Sequence, residues 1–268
     1  MAHDRYFDSA GVPIRYVEHG SGEPVVLVHS YTGSFEQDFV GSGLVDALAA
    51  HYRVIGFDLR GHGRSGKPHD PARYGREMAL DIVRLLDHLG LRRAHIVGYS
   101  LGAHIVVQLL TLHPERFLTA VLGGACGRRD WCADDDRRVE TEAAEIECGV
   151  MRAQLARLGS AAPTASDAEI RELSAKYLAG NDPRALAAIR RSNRDQMVAS
   201  TQLTALLVPT LGIVGSDDPY VASFRALQHV MPQLRVELIE GAAHDEAASR
   251  PEFVRAVSDF LRANTGSP

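Results

Sequence analysis

The chain has 268 residues, a formal net charge of -5 and 24% charged residues. That length suits one large core carrying an insertion, and 45% hydrophobic residues with no weakly hydrophobic, highly charged tract set long disorder aside. With 29 Lys+Arg against 34 Asp+Glu there is no basic field to neutralise phosphates, so nucleic acid is not an expected partner.

The first residues lack the basic flank and apolar run of a secretory signal, and no apolar stretch approaches membrane-spanning length. A cytoplasmic protein without a membrane partner is expected. Cys126, Cys132 and Cys148 are odd in number and show no C-x-x-C spacing, which points to reduced packing thiols. No metal-binding spacing is present, and no metal or cofactor is expected.

In chain order, Arg5 to Phe7 and Ile14 to Glu18 read as two strands joined by turn residues, an antiparallel opening. Pro24 to His29 is an almost continuous apolar run, as in a strand covered on both faces. The same reading recurs at Arg53 to Asp58, Ala94 to Tyr99, Leu118 to Gly123, Thr210 to Gly215 and Arg235 to Glu240. Between them, Met78 to Leu89, Ala103 to His113 and Glu252 to Leu261 carry apolar residues at helical steps. Alternating strands and helices predict an α/β class protein with a doubly wound, mostly parallel sheet.

The alternation fails between about Gly127 and Leu203, where Arg, Asp, Glu and Ala dominate. Asp167 and Asp182 are candidate N-caps there, the latter followed by Pro183 at the first helical position. The expected organisation is a core of residues 1–126 and 204–268 with a helical cap insertion over 127–203.

Gly98-Tyr99-Ser100-Leu101-Gly102 stands between an apolar strand and a helix, the context of a nucleophile elbow. Glycines are needed there because a Cβ would collide with neighbouring backbone in so sharp a turn. With this elbow, and with Asp58-Leu-Arg-Gly-His-Gly-Arg-Ser65 matching D-x-R-G-x-G-x-S, the chain resembles the α/β-hydrolase superfamily over nearly all of its length outside the insertion. The resemblance implies an α/β-hydrolase fold and the order Ser, Asp, His for the catalytic residues. Gly215-Ser-Asp-Asp218 resembles the family's G-x-x-D turn and aligns Asp218 rather than Asp217, while Gly241-Ala-Ala-His244 lies where the family keeps its histidine. The catalytic residues so implied are Ser100, Asp218 and His244, with Asp58 and Asp130 as rival acids.

A serine hydroxyl attacks only when a nearby imidazole takes its proton, and a carboxylate then orients that imidazole. The family's oxyanion donors map to the backbone N–H groups of Tyr31 and Leu101. Ser30 departs from the pattern, standing where the family's His-Gly pair has glycine. Gly61-His-Gly-Arg-Ser-Gly66 fits a dinucleotide fingerprint, but Lys67-Pro-His-Asp-Pro71 prevents a helix from starting at its third glycine.

The expected function is hydrolysis of a carboxylic ester through an acyl-enzyme. The same residues serve carbon–carbon bond hydrolases, lactonases, thioesterases and cofactor-free perhydrolases, and a hydrolase-fold ligand receptor is the alternative of another class. A small-molecule ester or related acyl compound is the expected partner, and self-association into a homo-oligomer stays open.

Overall fold

The computed structural model describes residues 3–162, 164–231 and 233–266. Among them, β1 (Arg5–Asp8), β2 (Pro13–His19), β3 (Glu23–Val28), β4 (Tyr52–Phe57), β5 (Ala94–Tyr99), β6 (Phe117–Gly123), β7 (Thr210–Gly215) and β8 (Arg235–Ile239) form one sheet. Its order is β1-β2-β4-β3-β5-β6-β7-β8. Pairings β1/β2 and β2/β4 are antiparallel, and all later pairings are parallel.

The helices are α1 (Leu44–Ala49), α2 (Arg76–His88), α3 (Leu101–Leu112), α4 (Ala133–Glu147), α5 (Arg152–Leu158), α6 (Asp167–Leu178), α7 (Pro183–Arg191), α8 (Ser200–Thr204), α9 (Val221–Val230) and α10 (Pro251–Asn264). Apolar runs in the strands follow from cover on both faces. Val25 and Leu27 of β3 pack in one cluster with Leu44 and Leu48 of α1 and Phe253 and Val257 of α10. Val26 and Val28 pack in the other, with Met78 and Ile82 of α2, Ile105 of α3 and Phe224 of α9. Alternation along a strand thus sends successive apolar side chains to opposite cores.

Three sequence expectations need correction. Strand β8 is not covered on both faces: it is the sheet edge, and Arg235, Glu237 and Leu238 are exposed. An apolar run carries no information on whether a further strand pairs beyond it. Helix α3 is buried from Leu101 to Leu110 rather than along one stripe, because the sheet, α2 and the segment after β6 surround it. Ser166, not Asp167, caps α6: its hydroxyl accepts from Glu169 N–H, and Glu169 returns a carboxylate to the Ser166 N–H. Asp182 does cap α7, accepting from the Arg184 and Ala185 N–H groups ahead of Pro183.

Helices α4 to α8 lie between β6 and β7 and are fastened to the rest of the chain at separate places. Tyr31 Oη donates to Leu186 O at 2.6 Å, and Gln108 Nε2 donates to Asp195 O at 2.6 Å. Asn181 Nδ2 donates to Thr32 O at 2.9 Å, and Gly75 N–H donates to Ser192 Oγ at 3.0 Å. The two ends of the segment meet, since Arg128 bridges Met197 and Val198 N–H donates to Arg128 O at 2.9 Å.

Candidate active site

Strand β5 runs straight into α3, and the turn between them is made by Ser100 at φ 51° and ψ -110°. A non-glycine residue held there stores on the order of 1–3 kcal/mol of backbone strain. The flanking glycines permit the turn. A Cβ on Gly98 would lie 2.5 Å from Gly102 O, and one on Gly102 would lie 2.0 Å from Val28 O. Ser100 N–H donates to Gly123 O at 2.8 Å, and Ser100 O accepts from His104 N–H at 3.1 Å to open α3. The serine side chain is thereby projected from the carboxyl end of the sheet.

Two loops bring partners to it. After β7, Asp218 folds back so that its N–H donates to Gly215 O, and its Oδ1 accepts from Tyr220 N–H at 2.8 Å. After β8, His244 is held by Tyr99, whose hydroxyl donates to His244 O at 2.6 Å. Ser100 Oγ lies 2.9 Å from His244 Nε2, and His244 Nδ1 lies 2.8 Å from Asp218 Oδ2. Asp218 and His244 are both buried. A carboxylate only accepts, so it draws the imidazole proton to Nδ1 and leaves the Nε2 lone pair facing the serine hydroxyl.

The neighbouring carboxylates are engaged elsewhere. Asp217 is exposed, and its Oδ1 accepts from the Ser216 hydroxyl at 3.2 Å. Asp58 shapes its own loop, accepting from Arg64 N–H at 2.9 Å. Asp130 is exposed and lines an outer cleft beside Trp131.

The loop after β3 is fixed from three sides. His29 Nε2 accepts from Leu59 N–H at 3.0 Å, so its Nδ1 proton goes to Ser30 O at 2.8 Å. Ser30 N–H donates to Asp38 Oδ2 at 2.6 Å, and His62 Nε2 lies 2.6 Å from Tyr31 O. Burial keeps both imidazoles neutral, pulling His62 down to about 3. Ser30 has no positive φ, so serine replaces glycine there without backbone strain. Among the described residues, no protein group accepts the N–H of Tyr31 or Leu101. Burial raises the Tyr31 phenol to about 12, and the Arg190 guanidinium sits 4.2 Å from its ring centroid.

A cavity of about 280 Å³ opens over Ser100, with Met151, Leu155 and Leu158 of the helical segment facing Tyr31, Tyr99 and His244. Sequence reasoning missed Tyr99, Tyr220 and Asp38. The first two stand inside the elbow motif and directly after the Asp218-Pro219 turn, whereas nothing local marks Asp38. The Gly61 to Gly66 loop closes on itself through Gly61 N–H to Gly66 O at 2.8 Å, and no helix begins at Gly66.

Comparisons with known proteins agree with this architecture. A family profile described as alpha/beta hydrolase fold matches residues 23–146. RutD of Variovorax paradoxus, provisionally named a carbamate hydrolase, is 30% identical over 268 residues, covering 93% of this chain and 96% of that protein. Esterase YbfF of Escherichia coli is 27% identical over 261 residues, 90% of this chain and 94% of that one. Some other matches are partial: the acetyltransferase component of an acetoin-cleaving system from Cupriavidus necator is 32% identical over 127 residues. That match spans 47% of this chain and 33% of that protein. The crystal structure of a hydrolase from Pseudomonas aeruginosa superposes with a TM-score of 0.76 at 25% identity, covering 98% of both chains. An eight-stranded sheet with helices on both faces, a strained serine at the β5–α3 turn and a full-length relative at 30% identity together place the chain in the α/β-hydrolase family.

Proposed function

We propose that this α/β hydrolase is a serine hydrolase that cleaves a carboxylic ester through an acyl-enzyme. Ser100 Oγ attacks the ester carbonyl while His244 Nε2 takes its proton, and Asp218 holds the imidazolium that results. Charge that develops on the carbonyl oxygen is received by the N–H groups of Tyr31 and Leu101. The tetrahedral intermediate expels the alcohol, which leaves with the proton from His244. Water then repeats the sequence on the acyl-enzyme and frees Ser100 and a carboxylic acid. Each proton returns within the triad, so the cycle draws on no cofactor.

The observation that carries this reading is the unbroken hydrogen-bonded chain from Ser100 through His244 to Asp218, at 2.9 and 2.8 Å, ending on a serine with positive φ. The likeness to an esterase over nine tenths of the chain also supports it. A carbamate is the second reading, favoured by the relative at 30% identity, and it needs the same attack on a carbonyl carbon. A fluorophosphonate probe should label the wild type on Ser100, and Ser100→Ala should lose both labelling and roughly 10⁴-fold or more in kcat. Labelling that survives in the alanine variant refutes the assignment.

A further inference from the structure

A second recess meets Ser100 from the side of α3. It is narrow, about 30 Å³, touches Tyr31, Ser100 and Leu101, and shares His104, Arg128, Arg157 and Tyr220 with an outer cleft of about 300 Å³. The recess is unusually basic for a chain of net charge -5. Arg128, Arg157 and Arg190 all line it. One buried carboxylate, Glu142, answers two of them: Arg157 Nε lies 2.7 Å from Oε1, and Arg190 Nε lies 3.1 Å from Oε2. Both Glu142 oxygens are thereby occupied.

Arg128 is left over. Among the described residues it has no carboxylate partner, and its Nε donates only to the neutral Gln196 Oε1 at 3.3 Å. Burial, reinforced by Arg190 and Arg157, lowers its pKa to about 10, which still leaves it charged at neutral pH. Arg128 is half-buried and lines the outer cleft, so its guanidinium can meet a ligand, and a bidentate carboxylate is the group whose geometry best matches it. A second polar group in the same recess is also unmatched. His104 is buried, its Nδ1 has no partner, and burial holds it neutral. Its ring lies 5.9 Å from Tyr220, whose ring lies 5.5 Å from His244.

We infer that Arg128 and His104 form an anion subsite beside Ser100, so that the preferred ester carries a carboxylate at the end seated in this recess. The inference rests on the serine hydrolase reading for its reaction, but binding of the anion can be measured without turnover. Trp131 is the single tryptophan and lines the outer cleft next to Arg128. Titration with adipate should change its fluorescence saturably in the wild type and in Ser100→Ala, and should fail to do so in Arg128→Gln.

Turnover is then compared in two pairs that share a scaffold and differ by one carboxylate: mono-4-nitrophenyl adipate against 4-nitrophenyl hexanoate, and 4-acetoxybenzoate against phenyl acetate. One pair should favour the anionic ester by roughly 10- to 100-fold in kcat/KM, the range of a hydrogen bond to a charged group. Arg128→Gln should bring that ratio to about one, and Arg128→Lys should keep part of it. Neutral esters turned over with no preference for the anion in either pair overturn the subsite while leaving the hydrolase reading intact. Saturable adipate binding without turnover of any ester does the reverse. A preference that survives Arg128→Gln also overturns the subsite, and if that variant fails to fold, the wild-type and Arg128→Lys ratios decide.

Discussion

Asp218→Asn keeps the shape of the side chain and alters what it can donate and accept. In the wild type Oδ1 takes Tyr220 N–H at 2.8 Å and Oδ2 takes His244 Nδ1–H at 2.8 Å, in a buried site. An asparagine can satisfy only one of these donors with its oxygen. If the oxygen stays on Tyr220 N–H, the amide NH₂ faces Nδ1, which must then be unprotonated, and the ring proton moves to Nε2. That proton points at Ser100 Oγ, and the imidazole can no longer act as a base. The flipped amide keeps the working tautomer but sets NH₂ against Tyr220 N–H, leaving a buried donor unsatisfied at about 1–3 kcal/mol. Loss of the carboxylate facing the imidazolium adds to either penalty. Together they should slow the chemical step about 10⁴-fold, equivalent to about 5.4 kcal/mol. Asp217→Asn serves as the internal comparison, because that exposed carboxylate meets only Ser216, and it should stay within about tenfold of wild type. Steady-state kcat on 4-nitrophenyl acetate, with thermal melts to verify folding, measures both. Exchanged phenotypes, or an unimpaired Asp218→Asn, refute the reasoning.

Two further outcomes are expected. Tyr31→Phe should leave kcat within about tenfold, since its proposed donor is the backbone N–H, while stability falls by about 1 kcal/mol as Leu186 O loses the phenol. A drop of about 10²-fold with folding unchanged would give the hydroxyl a direct part in catalysis. Stability should also decline as pH falls from about 6.5, because burial lowers the pKa of His29, His62, His95 and His104 in the fold, so the unfolded chain binds protons that the fold refuses. His62, held at about 3, should alone remove about 2 kcal/mol by pH 5. Urea melts at pH 7.5 and 5.0 test this, and equal midpoints would contradict it.

The strands and the elbow were legible because their determinants are local. Ser100, Asp218 and His244 each follow an apolar run, so their shared sheet edge could be read from chain order before any coordinates. Choosing Asp218 over Asp217 followed from the likeness of Gly215-Ser-Asp-Asp218 to the family's G-x-x-D turn. Arg128 was not legible, because its meaning depends on Glu142 already being occupied by Arg157 and Arg190. That depends on how α4, α5 and α7 pack together, and such packing is long-range. The edge position of β8 and the all-round burial of α3 were hidden for the same reason: periodicity within an element does not report its neighbours.

The bridge between Arg128 and Met197 has a further consequence. Because the chain leaves and re-enters at one paired point, residues 129–196 form a loop whose ends are already joined. The entropy of closing such a loop grows only logarithmically with its length, and doubling it costs about 0.6 kcal/mol. Extra length in the exposed turns of that loop therefore costs little, while the β5–α3 turn keeps its geometry. On this architecture, the wall that selects a substrate and the turn that presents Ser100 can be altered on separate evolutionary schedules.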